Sequence, residues 1–392
     1  MYQIVIVCSS DFSEAGPEGA VLEREVVALA RRHGIRIIGP NTMGVFGAKT
    51  NFHGIIVTIG PLYGSTSMFS QSGNFGVQMM MRGIEEGLGF NKFVSSGNEG
   101  DLNCIDYLRY FGDDKSSRTI VGYLEGVDAG SEFLAVAKKI SREKPVIILK
   151  SGRTESGIRA ATSHTGAIAG SLDSYEAAFR QSGIIQVSTI QEIVDCAKVF
   201  SEFPLPKGKR VAILTRGGGW GVMTADFCHE SGLEVPLLPD KIIKKINKIL
   251  PRYWSRGNPV DMVGITEFEP FLECLEIMAC WDGADAIIAL AGMTGSWWKF
   301  DEKEELLERA RIDRDILAKV EAAAEEQEGR TSALARQLIT ETGKPILFVD
   351  VAFREAQLRS IQELRAISYS EPERAVGALK RMVDYKSYLD SL

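Results

Sequence analysis

Histidine is scarce in this chain, four in 392 residues, and the six cysteines (Cys8, Cys104, Cys196, Cys228, Cys274, Cys280) include no CxxC pair. That scatter excludes a zinc ribbon or a disulfide frame and reads as reduced, buried thiols of a cytoplasmic protein. Long apolar runs are missing too: none reaches the roughly 18 residues of a membrane-spanning helix. The opening MYQIVIVCSSDF has no basic n-region and no cleavage pattern, so it reads as a core strand. Positive charge is not in excess, with 45 Lys and Arg against 52 Asp and Glu, a net of −7. Such a surface argues against a nucleic-acid binder or a membrane-surface protein. Apolar residues at 45% and charged residues at 25% are ordinary for a globular chain that builds cores without metals or disulfides. Its length fits two or three domains of about 150 residues. Glycine is the plentiful residue: 39 positions, about 10% where about 7% is usual, clustered in a few loops.

Short β-branched runs alternate with helical patterns, the signature of parallel sheets flanked by helices. Strands are predicted at 4–7, 35–38, 67–70, 92–95, 119–123, 146–149, 210–214, 286–290 and 346–349, with a helix at about 19–33. Two turn-rich breaks, TIGPLYGS (58–65) and FPLPKGK (203–209), divide the chain into 1–60, 61–203 and 204–392. The first piece holds a strand, a helix and a strand, too little to close a core. Either the natural chain starts upstream, or this piece packs on the next domain. The two larger pieces share a weak repeat of strand, Gly-rich turn and helix, SMFSQSGNFGVQMMMRGIEE and RVAILTRGGGWGVMTADFCHE. In the first, Val77, Met80, Met81, Ile84 and Leu88 fall on one helical face and read as core. Charge is dense from Trp297 to Arg330, as in an exposed, salt-bridged helical insertion.

A helix N-terminus has unpaired N–H groups and a partial positive charge, and glycine lets an anion approach them. Ser72-Gly73-Asn74 and Gly217-Gly218-Gly219 put small residues at two such starts. Neither matches a Walker A loop or GxGxxG. Each alone is equally a tight turn without a ligand; two of them raise the idea of an anion held between two helix ends. Among the histidines, His33 reads as a helix-end residue, and His53 and His229 as structural. His164 lies in RAATSHTGAIAG (159–170), where small neighbours suit an exposed nucleophile or proton carrier, although His-Thr-Gly also makes good turns. Glu125 directly follows the apolar strand ending at Leu124, at the carboxyl end where α/β sheets bind ligands. A carboxylate there either fixes one imidazole nitrogen so that the other attacks, or caps the helix after it.

Taken together, GIRIIGPNTMGV (34–45), SQSGNFG (70–76), SSGNEGDLNCIDYL (95–108), YLEGV (123–127), SHTGAIAGS (163–171), GGGWGV (217–222), NPVD (258–261) and PERAV (372–376) resemble one family. It is the α subunit, or α half, of the NDP-forming acyl-CoA synthetases, relatives of succinyl-CoA synthetase. SHTGAIAGS with YLEGV is the specific part. The resemblance implies an α/β fold of two flavodoxin-like parallel-sheet domains plus a C-terminal remnant, 1–60, of a Rossmann-like CoA-binding domain. It implies His164 as a phosphohistidine and Glu125 as the carboxylate that orients it. Ser72, Gly73, Asn74, Gly217, Gly218 and Gly219 become phosphate-facing, and Asn41 and Asn98 fall to a substrate or CoA pocket, with no metal site on this chain. The implied reaction interconverts acyl-CoA, ADP and phosphate with acid, CoA and ATP through an acyl phosphate, for a small acid such as acetate.

CoA is then a substrate, while ATP or ADP and Mg²⁺ are bound by an ATP-grasp β partner, in a hetero-oligomer or a homodimer. The departures are as informative. Only the last strand–helix–strand of the CoA domain is present, and no ATP-grasp region is. Arg216 stands where an Asn is usual, before three glycines and Trp220; it either holds phosphate or packs outward. A competing reading is a non-catalytic interaction subunit, and a third is a regulatory fragment of a CoA-ligase-like protein acetyltransferase.

Overall fold

A computed structural model describes residues 3–60, 62–157, 159, 172–265, 267–290, 314–350 and 367–392. His164 and the first part of the charged stretch, 297–313, lie outside the described residues. The chain divides into two compact units, residues 1–201 with 391–392, and residues 202–390.

In the first unit β1 (Ile4–Ile6) and β2 (Arg36–Ile38) pair in parallel across the helix Pro17–Arg32. Proline starts that helix, where its missing N–H costs nothing, and Arg31 and Arg32 sit at the negative end of its dipole. The larger sheet has seven strands: β3 (Gly44–Gly47), β4 (Phe52–Ile55), β5 (Tyr63–Ser70), β6 (Phe90–Ser95), β7 (Thr119–Leu124), β8 (Val146–Lys150) and β9 (Ile185–Val187). They lie in the order β4-β3-β6-β5-β7-β8-β9. β3 runs antiparallel to β4 and β6; the pairings from β6 to β9 are all parallel. Every residue of β7 and β8 is buried, as expected when helices cover both faces of a parallel sheet. Read from β5, the parallel strands follow the order 2-1-3-4-5, that of flavodoxin-like folds, whose crevice opens between strands 1 and 3. Here that places the crevice between the carboxyl ends of β5 and β7.

The turn-rich stretch at 58–65 does not coincide with a change of sheet, because β3, from the first sixty residues, already pairs with β6 and carries β4 on its other edge. Only β1, its helix and β2 stand as a separate strand pair, and a carboxylate is among the groups that tie them to the turn after β6. Buried Asp101 accepts Arg31 Nε, Arg36 Nε and the Ile37 N–H, each at 2.8 Å. Burial works against ionising Asp101, yet these bonds, Arg36 first, hold its carboxyl below the usual range.

On the helix Gly73–Glu85, Val77, Met79 and Met80 are buried. The packed face differs from the sequence expectation at one residue: Met81 is 49% exposed and Met79 takes its place. The helix is pressed hard on the sheet, for a β-carbon on Gly76 would stand 2.7 Å from Ser70 Cβ. That contact brings Met79 and Met80 inward together and turns Met81 to solvent.

The second unit repeats the plan. Its strands β10 (Val211–Thr215), β11 (Val260–Asp261), β12 (Ala286–Leu290), β13 (Ile346–Val349) and β14 (Ser368–Tyr369) are all parallel, in the order β11-β10-β12-β13-β14. This again is 2-1-3-4-5, with β10 in the first place. Asn258 of the NPVD motif is explained by the backbone: it accepts from Ile213 N at 2.9 Å and donates to Val211 O at 2.9 Å and Pro236 O at 3.1 Å.

The helix Arg314–Thr342 carries the second part of the charged stretch. Asp315, Lys319, Glu325 and Glu326 are exposed as expected, but Glu328 is buried, with Thr331, Ser332, Ala335 and Leu338 beyond it. From Glu328 on the helix is two-faced: Ala335 and Leu338 pack inward with Phe271 and Cys274 of Glu269–Ala279, while Arg330, Arg336 and Gln337 stay exposed. Among the described residues no helix is long and apolar enough to cross a membrane.

Candidate active site

β5 and β7 end side by side, Ser70 opposite Tyr123, and each end feeds a turn. After β5 the chain reads Gln71, then Ser72 as the N-cap of the helix that starts at Gly73. The Ser72 side chain makes no capping bond, so the first helical N–H groups are not satisfied by it. Ser70 Oγ instead donates to Ser72 O at 2.6 Å, and Gln78 Nε2 donates to Asn74 Oδ1 at 3.1 Å. Gly73 is needed for packing: a β-carbon there would stand 2.3 Å from Met43 Cγ.

After β7 comes Glu125, whose backbone N–H donates to Gln71 Oε1 at 2.6 Å; the Gly126 N–H joins it at 3.2 Å. Gln71 Nε2 donates in return to Gly126 O at 2.9 Å and to Glu99 Oε2 at 3.1 Å. One amide thus ties the two turns of the crevice together. Lys150, the last residue of β8, supports the Glu125 turn from within. It is 2% exposed, donates to Glu125 O at 2.8 Å and to Ser151 O at 2.5 Å, and lies 4.9 Å from the Tyr175 ring centre. Burial lowers its pKa while the charge of Glu125 opposes that shift.

These residues open on a cavity of about 480 Å³. Glu125, Asn41 and Asn98 all line it, with Gln71 and Glu99. Asn41 Nδ2 donates to Asn98 Oδ1 at 3.2 Å, and Asn98 Nδ2 donates to Glu23 Oε2 at 3.0 Å and to Glu14 Oε2. Among the described residues the lining carries the carboxyl groups of Glu14, Glu23, Glu99, Glu125 and Asp128, and no Lys or Arg. The donors these residues offer to the cavity are amides and backbone N–H groups.

Glu99 has a left-handed backbone, φ 59°, and its Oε1 is shut off from solvent. Burial raises its pKa from the ordinary 4.5 to about 7, against weaker opposing bonds from Ser96, Gln71 and Cys104. The folded chain thus holds a proton between pH 4.5 and about 7 that the unfolded chain has released. Stability should fall as pH rises through that window. Glu99→Gln removes the titration, so in thermal unfolding the variant should exceed wild type above about pH 7, by on the order of 3 kcal/mol. The gap should close below about pH 4, under the ordinary carboxyl value. An equal difference at both pH values would show that this carboxyl does not titrate there.

In the second unit Gly217 is the N-cap of the helix Gly218–Glu230, again without a side-chain cap. Thr215 Oγ1 donates to Gly217 O at 2.8 Å, matching Ser70 and Ser72 of the first unit. A β-carbon on Gly218 would meet Asp261 Oδ2 at 2.8 Å, whereas Gly219 has nothing within 4 Å. Arg216 packs inward: its guanidinium carbon is 5.0 Å from the Phe271 ring centre, and burial lowers its pKa against the charge of Asp350.

Of the other histidines, His33 closes the end of its helix, its N–H donating to Ala30 O and Arg31 O, and His53 bonds Asn51 Oδ1 at 3.1 Å. Gln71, Glu99 and Lys150 were not singled out from sequence. Gln71 and Glu99 lie inside quoted motifs, and Lys150 showed only as a charge ending an apolar strand. Among the described residues no group of His, Cys, Asp and Glu is arranged to hold a metal ion.

Residues 63–200 match the family described as succinyl-CoA ligase like flavodoxin domain, a match that covers strands β5 to β9 of the larger sheet. The α subunit of acetate–CoA ligase [ADP-forming] II of Pyrococcus furiosus is 40% identical over 296 residues, 74% of this chain and 64% of the relative. The α subunit of acetate–CoA ligase [ADP-forming] I of the same organism is 34% identical over 393 residues, 98% of this chain and 78% of the relative. The chain belongs to this family of ADP-forming acetate–CoA ligase α subunits. It spans less than two thirds of the first relative's length. Among solved structures, the dinucleotide forming acetyl-coenzyme A synthetase 1 of Ca. Korarchaeum cryptofilum, in complex with phosphate and ADP, superposes with a TM-score of 0.81 at 31% identity. That match covers 99% of this chain and 78% of the other.

Proposed function

We propose that this chain is the catalytic α part of an ADP-forming acyl-CoA synthetase acting on a small carboxylic acid of the acetate class. The observation that carries the reading is the match along 98% of the chain to an acetate–CoA ligase α subunit. An oxygen of inorganic phosphate attacks the thioester carbon of acyl-CoA; the C–S bond breaks, giving acyl phosphate and CoA. A nitrogen of His164 then attacks phosphorus, and the P–O bond to the acyl group breaks, releasing the carboxylate. The phosphohistidine passes its phosphoryl group to ADP, held with Mg²⁺ by an ATP-grasp partner subunit, in the cytoplasm. Glu125 accepts the N–H of the other imidazole nitrogen, and Asn41 and Asn98 contribute amides to the acyl or CoA pocket.

The helix start at Ser72–Asn74 and that at Gly217–Gly219 each offer backbone N–H groups to a phosphate. The test is incubation of the chain with radiolabelled acetyl phosphate, expected to leave an acid-labile phosphate; an unlabelled chain would remove the reading.

Gly219 gives a clean probe of the second helix start. Gly218→Val would drive a side chain into Asp261 and confuse binding with folding, whereas Gly219→Val has open space. Each helix start stabilises a phosphate by about 0.3–1 kcal/mol, and a branched side chain there blocks close approach. Gly219→Val should lower phosphate occupancy severalfold with an unchanged unfolding midpoint. Unchanged occupancy would take the second unit out of the phosphate site.

A further inference from the structure

We infer that Gln71, held in place by Glu99, is a positioning residue for Glu125; the inference rests on the proposed role of Glu125. The side-chain amide of Gln71 makes four bonds with only two polar atoms. Its oxygen accepts the N–H groups of Glu125 and Gly126 at 2.6 and 3.2 Å, and its nitrogen donates to Gly126 O at 2.9 Å and Glu99 Oε2 at 3.1 Å. The amide therefore grips the Glu125–Gly126 peptide from both sides and fixes the start of the turn that carries the carboxylate. An amide can be flipped, exchanging donor and acceptor, unless a neighbour decides its orientation. The Glu125 and Gly126 N–H groups decide it, because they only donate and so require the Gln71 oxygen, and Glu99 Oε2 receives the nitrogen on the other side.

Glu99 is in turn held by its place in the chain. It lies in the turn between β6 and the helix Cys104–Asp113, where Asn98 N and Gly100 N donate to Pro40 O and Gly39 O at 3.0 and 3.1 Å. Gln71 leads into the helix that starts at Gly73, and Glu125 ends β7. Three segments far apart in sequence thus meet on one amide, which faces the cavity. The pair acts through Glu125 and touches no reacting atom.

The test measures the rate of labelling by radiolabelled acetyl phosphate in a double-mutant cycle. Gln71→Met keeps the side-chain length and removes all four bonds. Labelling should slow by about tenfold, less than the roughly hundredfold that a 1 Å displacement of a reacting group can cost. In a Glu125→Gln background the same substitution should add little, since a residue acting through Glu125 has nothing left to position. Equal slowing in both backgrounds would mean a general structural role and overturn the inference. So would a wild-type rate for Gln71→Met while Glu125→Gln is slow, which leaves the role of Glu125 standing.

A wild-type rate for Glu125→Gln removes the reading beneath the inference. Should Gln71→Met fail to fold, Gln71→Glu decides. It keeps an acceptor for the Glu125 and Gly126 N–H groups but loses the donor to Gly126 O and sets a second carboxylate against Glu99, so it should slow labelling in the wild-type background and add little in the Glu125→Gln background. Equal slowing in both backgrounds would overturn the inference.

Discussion

His164→Asn should abolish acid-labile labelling by acetyl phosphate, or by ATP with the ATP-grasp partner, and leave the thermal unfolding midpoint close to that of wild type. Asparagine is polar and smaller than the imidazole but offers no nucleophilic nitrogen, so the chemistry is removed rather than slowed. A phosphohistidine is stable in base and lost in acid, which separates it from phosphoserine or an acyl phosphate in the same measurement. Persistent acid-labile label on the variant would mean that another residue is the nucleophile. Label on neither form would favour the interaction-subunit reading.

Glu125→Gln carries the second large effect. Neutral imidazole attacks through one nitrogen while the other keeps its proton. Once the ring is phosphorylated, that N–H belongs to a cation, and its bond to a carboxylate strengthens. The carboxylate therefore stabilises the transition state more than the ground state, the only kind of binding that lowers a barrier. A charge-assisted bond is worth about 1.5–3 kcal/mol, so labelling should slow by about ten- to a hundredfold. Glutamine still accepts through its oxygen, and the Glu125 N–H bond to Gln71 is made by the backbone. Quench labelling of wild type and variant reads the ratio directly. Equal rates would take Glu125 out of the mechanism even if His164 carries the phosphate.

Much of this was legible in the sequence because parallel-sheet chemistry repeats itself. The runs at 119–123 and 286–290 announce buried strands, and the Gly-rich turns at Ser72 and Gly217 announce helix starts at equivalent places in two sheets. The five short strands β3, β4, β9, β11 and β14, of two to four residues each, were not legible. Such strands owe their conformation to their neighbours: Val45 and Phe46 are extended because β6 offers them a ladder.

The site divides in the same way. Glu125 could be picked out because a carboxylate directly after an apolar strand is conspicuous. Gln71, Glu99 and Lys150 could not, because their importance lies in bonds to backbone groups that only the fold brings near. The sequence offered Arg216 as a phosphate holder or an outward-packing residue; it packs inward on Phe271 instead, which removes the outward reading.

The Asp101 carboxylate has a consequence for how the chain can be divided. It joins β2 to the turn that carries Asn98 and Glu99, while Glu14, Glu23 and Asn41 complete the same cavity from the amino-terminal side. A protease cut or an engineered break near residue 60, where the composition invites one, would halve that wall and strip β6 of its outer neighbour. The amino-terminal sixty residues are thus an integral part of the chamber, and a shortened chain beginning at β5 would keep the helix start at Gly73 but lose the wall that Glu14, Glu23 and Asn41 build in front of it.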